Sequence, residues 1–358
     1  MSFLRALLSS ARLVRRPAPR TAAGPATDDD LLLDAPDPQV APALVAAAQG
    51  GYAPAAELLA TTRERAEWED RDRYTLRLAA FARHRQDWLT DWLLAAPHDP
   101  DALLVKAELE VRRALESPAP ADRLRPAGAL IDAAAAGAPC DPVPWRIALD
   151  HARGSMAAHD TFEALWGQAI RRSSHHYGCH VAALRYLAAQ GSTYRECFDF
   201  AEQAADDALP GSLIQALPVR AAFLLLSDDF GAAAASPTAA THDLLARIDK
   251  AADLAIALSA EYAGGDPWAA EVRNLLAYVL VSRERWTQAL EQFQLIGPYA
   301  TSFPWASLTE DPLGRFHEVR ERARSLGDSR PPLTTGRTGA LGARKWSPGR
   351  SRSNGHYA

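Results

Sequence analysis

The sequence predicts an all-α fold, on three observations. Nearly half of the 358 residues are apolar, and most of these are Ala and Leu, which lose little or no rotamer freedom in a helix. Continuous runs of Val, Ile, Thr or Tyr, which are typical of strands, are almost absent. The 25 prolines cluster between periodic segments, where helices begin and end. We therefore expect many short helices with sharp breaks.

The chain divides into three parts. Residues 1–40 combine an amphipathic segment over 1–16 with a linker rich in Pro, Ala and Asp. Residues 41–326 form the helical domain. Residues 327–358 are rich in Gly, Ser, Pro, Thr and Arg, and we expect a disordered basic tail. Helices are predicted over residues 41–49, 53–66, 70–84, 87–96, 100–116, 123–136, 143–158, 160–173, 176–190, 193–208, 213–227, 239–262, 267–282, 285–297 and 310–325.

One stretch, NLLAYVLVSRERWTQALEQF at residues 274–293, has the pattern of two helices in close contact. Trp286 opens the second helix, Ala289 is small enough for two helices to touch, and Phe293 follows one turn later. The stretch resembles one tetratricopeptide (TPR) unit, with Leu276 and Ala277 in its first helix.

This resemblance implies a TPR-like right-handed solenoid of antiparallel helix pairs. The stretches GGYAPAAELL at 50–59 and GSTYRECFDFAEQA at 191–204 fit the same offsets more loosely. The 34-residue period is not visible elsewhere. A regular TPR array is therefore not expected, and an irregular helical bundle is the alternative.

Residues of about 143–226 carry a second resemblance. The segments FDFA at 198–201 and PGSLIQAL at 210–217 follow Trp145 and Trp166 in an order that resembles an uncharacterised bacterial family of TPR-like helices. That family has no established chemistry, so the resemblance implies a fold and a bacterial source but no site residues.

The charge distribution and the cysteine content indicate which kinds of partner and which compartment to expect. The net charge is −5, yet residues 1–20 and 327–358 are both strongly basic, so the body between them is acidic. An acidic body argues against broad nucleic-acid binding by the folded part. Three cysteines without a C-x-x-C motif favour a reducing, cytoplasmic compartment. No run approaches the roughly 18 apolar residues of a membrane span.

A cluster of histidine and cysteine, RSSHHYGCHV at 172–181, is the candidate metal site. On a helix, His176, Cys179 and His180 share one sector, and three such ligands could bind zinc. Cys197 on the next helix could close the site. The chain has no H-E-x-x-H motif, and Gly178 is a poor residue for a helix interior. We therefore expect these side chains to pack in the core, and we predict no metal and no cofactor.

For the other candidate sites, too, we favour a structural role over a functional one. The sequence has no G-x-S-x-G elbow and no glycine-rich phosphate loop, so a Cys197–His180 pair is only a weak catalytic candidate. The charged stretch RERAEWEDRDR at 63–73 could dock a charged peptide, but we expect a solvated helix edge with i,i+4 ion pairs. Trp88 and Trp92, one turn apart, are expected to be buried.

These observations favour a non-enzymatic cytoplasmic scaffold or adaptor that holds a protein or peptide partner on a helical-repeat surface. One alternative is a metal-dependent enzyme that uses the His/Cys cluster near residues 175–180. Another is peripheral membrane association through the N-terminal helix, whose Phe3 and Leu7 lie on an apolar stripe flanked by arginines. For residues 1–16 we favour disorder or docking on the acidic body of the protein itself over binding to a membrane surface. The sequence specifies neither the identity of the partner nor the oligomeric state.

Overall fold

The computed structural model describes residues 31–227 and 239–327. The regular secondary structure of this part of the chain is helical apart from two short strands. The all-α prediction is confirmed. The amphipathic segment 1–16 and the tail 328–358 lie outside the described residues. In chain order the elements are β1 (Leu32–Leu33), α1 (Ala41–Ala48), α2 (Ala53–Glu64), α3 (Trp68–Ala82), α4 (Asp87–Ala95), α5 (Pro100–Leu115), α6 (Pro120–Leu124), α7 (Ala127–Gly137), α8 (Val143–Gly154), α9 (His159–Arg172), α10 (Tyr177–Ala189), α11 (Tyr194–Asp206), a 3₁₀ turn (Leu213–Ala216), α12 (Leu217–Ser227), α13 (Ala239–Ala260), α14 (Ala270–Ser282), α15 (Trp286–Ile296), β2 (Tyr299–Ala300), α16 (Ser302–Trp305) and α17 (Pro312–Gly327).

Helix starts follow local sequence signals. Proline occupies the first turn of α1, α2, α5, α6 and α8, where its missing N–H costs no helical hydrogen bond. Asp99 caps α5 by accepting the Asp101 N–H at 2.8 Å. Thr193 and Glu196 form a reciprocal capping box at the start of α11. These caps satisfy N–H groups that a helix cannot pair internally.

The helices between residues 68 and 296 pack as two rows. The front row comprises α3, α5, α8, α10, α12 and α14, and each member contacts the next. The back row comprises α4, α7, α9, α11, α13 and α15. Each back-row helix contacts the front-row helix before it, and each except the last, α15, also contacts the front-row helix after it. The fold therefore places residues from successive front-row helices next to one another.

Small residues permit this close packing. Ala289 of α15 is fully buried against α14, as are Leu276 and Ala277 on the opposite helix, and Phe293 is buried one turn farther on. The helix pair predicted over residues 274–293 is confirmed. Trp88 and Trp92 are also buried, as predicted.

Within residues 31–227 and 239–327, no helix has both the length and the apolar character to cross a bilayer.

Residues 31–37 form what we call the N-terminal clasp, and they correct the predicted linker. β1 pairs in parallel with β2, and Leu32 N–H donates to Pro298 O at 3.0 Å. Asp34 accepts a hydrogen bond from Ser302 N–H at 2.9 Å and lies 3.3 Å from Arg77 of α3. Local composition cannot reveal this contact because its partner segment lies more than 260 residues later.

Candidate functional site

Charged side chains converge in the interior where α3 meets α5, α8 and α10. Arg146 of α8 is buried, and its guanidinium lies 2.6 Å from Asp72 and 2.5 Å from Glu108. Arg112 also pairs with Glu108. Burial by itself raises the pKa of Glu108, but Arg146 and Arg112 outweigh it and lower that pKa to about 2. Glu108 is therefore ionised at neutral pH and holds two arginines.

Arg71 is the second centre of this network. It is fully buried, and its three nitrogens donate to Asp141 at 2.5 Å, to Asp101 at 2.6 Å and to the Leu59 carbonyl at 2.8 Å. Each guanidinium nitrogen thus has an acceptor, as a buried cation requires.

The predicted solvated edge over residues 63–73 is wrong for Arg71 and Asp72, which are buried. The prediction holds in part for the rest of the stretch, because Arg65 and Glu67 are exposed and 3.9 Å apart, and the partly exposed Asp70 pairs with Arg73 one turn later. Periodicity shows which residues share a helix face but not what covers that face. Here the covering partners lie 30 to 74 residues away in sequence.

The N-terminus of α10 packs against acidic residues of α3. Glu69 accepts a hydrogen bond from Tyr177 N–H at 2.6 Å, and Asp72 lies so close to Gly178 that an added Cβ would overlap Asp72 Oδ2. Negative charge is favourable at a helix N-terminus. Gly178 thus belongs to the first turn of α10, where the lack of a side chain admits the carboxylate.

The candidate metal ligands are held by other contacts. His176 is fully buried and caps α10, with Nδ1 accepting from Cys179 N–H at 3.2 Å. His180 donates from Nδ1 to the His176 carbonyl at 2.9 Å, and its ring packs edge-on against Trp166. Burial lowers the pKa of His180 to about 4. His180 is therefore a neutral residue of the core at physiological pH.

The structure does not bring the two buried cysteines together. Cys179 packs in a cluster with Leu149 and Tyr186, whereas Cys197 packs in a separate cluster with Phe198. Burial raises the pKa of both thiols, and a protonated thiol is a poor nucleophile and metal ligand. Among the described residues, no group of three or more His, Cys, Asp and Glu side chains is arranged to hold a metal ion.

Three arginines on successive front-row helices form a cluster that sequence reasoning missed. Arg153 lies on α8, Arg185 on α10 and Arg220 on α12. The guanidinium carbons of Arg220 and Arg185 lie 4.3 and 5.7 Å from the centre of the Phe303 ring. We call these four residues the arginine cluster. Its sequence signal is the spacing, because the three arginines are 32 and 35 residues apart, close to one helix-pair repeat.

The charges of the arginine cluster are unequally paired. Arg220 is buried and pairs with Glu271, and Arg153 lies 3.5 Å from Asp150. Arg185 makes no hydrogen bond or ion pair within the described part of the chain, and its guanidinium lies over the Phe303 ring. Burial, and then the charge of Arg220, lower the pKa of Arg185 to about 10. Arg185 still carries its charge at neutral pH.

Comparison with known proteins assigns no family to this chain. No protein-family model, no curated protein and no solved structure matches it. The resemblances to a TPR unit and to a bacterial family of TPR-like helices therefore stay expectations, and function must be argued from the chain's own geometry.

Proposed function

We propose that this protein is a non-enzymatic scaffold or adaptor that binds a peptide or protein partner on the surface of a right-handed helical solenoid. The main support for this proposal is the packing of the front row. From α3 to α14, each front-row helix contacts the next, and a back-row helix packs between each consecutive pair. Stacked helix pairs of this kind present an extended surface. The step from stacked helices to partner binding is an analogy between folds.

The C-terminal half of the front row is the part we assign to the partner. The N-terminal half uses its charges internally, because Arg71 and Arg146 are buried in ion pairs. Farther along, Tyr177, Arg185 and Tyr278 are partly exposed on α10 and α14. Partly exposed aromatic and arginine side chains are typical of protein interfaces.

The thiols support a reducing compartment. Cys140, Cys179 and Cys197 are all free, and two of them are buried. We propose that the scaffold works in the cytoplasm of a bacterium, where free thiols persist.

The test is a binding footprint on the full chain. Partners captured from the host would be purified, titrated against the protein, and mapped by amide hydrogen exchange of the complex. We expect saturable binding that protects α10, α12 and α14. A footprint confined to back-row helices, or the absence of any saturably binding partner, would refute the proposal. Elemental analysis of the same preparation provides a second check, since one zinc per chain would favour the metal-enzyme alternative.

A further inference from the structure

We propose that the arginine cluster is a carboxylate-binding site, in which Arg185 receives an acidic side chain of the partner between Arg153 and Arg220. This inference deepens the proposed function and rests on it. It assigns a chemical class to what the front row recognises, and it identifies Arg185 as the residue that makes the central contact.

The first argument is the contrast between Arg185 and the other interior arginines. All three nitrogens of Arg71 have acceptors, and Arg146 meets both Asp72 and Glu108. Arg185, on the same row of helices, has no acceptor among residues 31–227 and 239–327, although it is partly exposed and solvent can reach it. A guanidinium has five N–H donors in a fixed planar arrangement. Those of Arg185 are available to a ligand.

The second argument is that hydrogen-bonding capacity is also left over on its neighbours. Nε of Arg220 and Nε of Arg153 are buried and make no hydrogen bond in the described chain, although the Arg220 side chain is only 2% exposed. Two neighbouring atoms, Oδ1 of Asp150 and the Tyr177 hydroxyl oxygen, are buried without a hydrogen bond as well. Buried polar atoms without partners are uncommon in native proteins, and each calls for an explanation such as a bound ligand. Three neighbouring guanidinium groups with spare donors point to one shared anion.

The third argument concerns the charge of that anion. Asp150 and Glu271 are the acids that act on Arg185, against the cations Arg153 and Arg220. Asp150 also lies 3.6 Å from Arg146, so the three arginines exceed the acids that face them by at least one positive charge. A carboxylate supplies one negative charge and matches the planar guanidinium in a bidentate pair. A phosphate dianion would overcompensate the cluster and would face both acids.

The direct experiment titrates the full-length protein with sodium acetate and observes arginine side-chain N–H resonances by NMR. Sodium chloride at the same ionic strength is the control for screening. We expect the Arg185 resonance to shift saturably in the millimolar range with acetate but not with chloride. Arg283, which is already paired with Asp249, serves as the internal control. No saturable shift at Arg185, or an equal shift at Arg283, would overturn the proposal.

A second measurement separates a binding role from a structural one. Arg185→Met removes an unpaired charge from beside Arg220, so we expect an unchanged or higher melting temperature. We also expect the acetate-induced shifts of the Arg153 and Arg220 side-chain N–H resonances, which accompany binding to the wild-type protein, to be lost. A drop of several degrees would show that Arg185 is a structural cation held by Phe303 and would overturn the assignment. Sodium phosphate, titrated in parallel, should bind more weakly than acetate. Tighter phosphate binding would contradict the carboxylate class.

The acetate titration tests the carboxylate site whether or not a protein partner is found. If acetate binds at Arg185 but no partner binds saturably, the site stands as a carboxylate site and the scaffold function fails. If a partner binds equally well to wild-type protein and to Arg185→Met, the scaffold function stands and the carboxylate contact is refuted.

Discussion

Arg146 shows how single residues secure the interior of this protein. Its guanidinium forms ion pairs with Asp72 and Glu108, which come from two other helices. Because all three groups are buried, removal of one partner leaves the others as uncompensated charges in a poorly hydrated interior. Exposed pairs behave differently, since water already solvates both partners.

We predict that Arg146→Met lowers the free energy of unfolding by about 3–5 kcal/mol, the usual cost of breaking a buried ion pair. Arg83→Met is the matched control. Arg83 and Glu116 form an equally close ion pair, but both side chains are about half exposed, so its loss should cost less than about 1 kcal/mol. Urea denaturation of both variants measures the difference. Equal costs would show that the interior network is hydrated.

Gly178 offers a second comparison at the residue scale, because another glycine occupies the same position in a different helix. Gly178 and Gly128 are each the second residue of their helix, α10 and α7. A methyl group at Gly178 would overlap Asp72, whereas a methyl group at Gly128 would meet no atom within 4 Å.

We predict opposite signs for the two alanine substitutions. Gly128→Ala should stabilise the protein by up to about 1 kcal/mol through helix propensity. Gly178→Ala should destabilise it by about 1–3 kcal/mol, the usual cost of overpacking. Thermal unfolding of both variants measures the effects. Stabilisation by both would mean that the Asp72 carboxylate does not lie against the start of α10.

His180 makes stability depend on pH. The folded-state pKa is about 4, below the value near 6.5 of an unfolded chain, so the folded state disfavours protonation. The resulting stability is fully present above pH 6.5 and is lost as pH falls toward 4. We predict that wild-type protein loses roughly 3 kcal/mol relative to His180→Phe over that interval. His159→Gln, which removes a largely exposed imidazole, is the control for loss of a histidine at the surface. Parallel profiles for wild type and His180→Phe would contradict the prediction.

At the scale of secondary-structure elements, the helix pair of α14 and α15 depends on a small residue at the crossing. Ala289 has no exposed surface, so three additional carbons would have to displace α14. We predict that Ala289→Leu costs about 1–3 kcal/mol. Ala133 lies exposed on α7, and Ala133→Leu should be nearly neutral. Chemical denaturation distinguishes them, and a neutral Ala289→Leu would show that the two helices do not cross at this residue.

Helices could be predicted from the sequence where their start and end signals lie within the helix itself or next to it. The long helix Ala239–Ala260 lies within the predicted range 239–262, and α1 and α11 begin within one residue of their predicted starts. The prediction over 123–136 was less accurate, because the structure divides this region into α6 and α7 before and after Pro126. Pairing between distant segments left no local signal, so the strand at Leu32–Leu33 was missed.

The candidate site was less predictable for the same reason. Sequence reasoning identified His176, Cys179 and His180 because they are adjacent in sequence, yet each makes a hydrogen bond to the main chain. His176 and His180 bond within the start of α10, and the Cys179 thiol donates to the Pro142 carbonyl. The arginine cluster consists of residues that only stacking of helix pairs brings together. A repeat with visible sequence periodicity would have revealed it, but here only the arginine spacing recurs.

At the scale of the whole molecule, the N-terminal clasp ties the first front-row helix to the far end of the chain. Asp34 contacts Ser302 and Arg77, and Arg73 of α3 lies 3.0 Å from Asp37 and 4.9 Å from the Trp268 ring. The clasp thus bridges elements that sequential packing of helix pairs would leave apart. Loss of such a bridge should loosen both ends together, because each holds the other through the same segment.

We predict that deletion of residues 1–34 lowers the melting temperature by a few degrees relative to deletion of residues 1–30, which keeps the clasp. The longer deletion removes the β1 pairing with β2 and the Asp34 hydrogen bonds, each worth about 1 kcal/mol. Amide exchange should rise both at residues 299–302 and along α3. Faster exchange at residues 299–302 alone would mean that the clasp only covers a strand edge. Faster exchange at both places would mean that it holds the two ends of the helical array together.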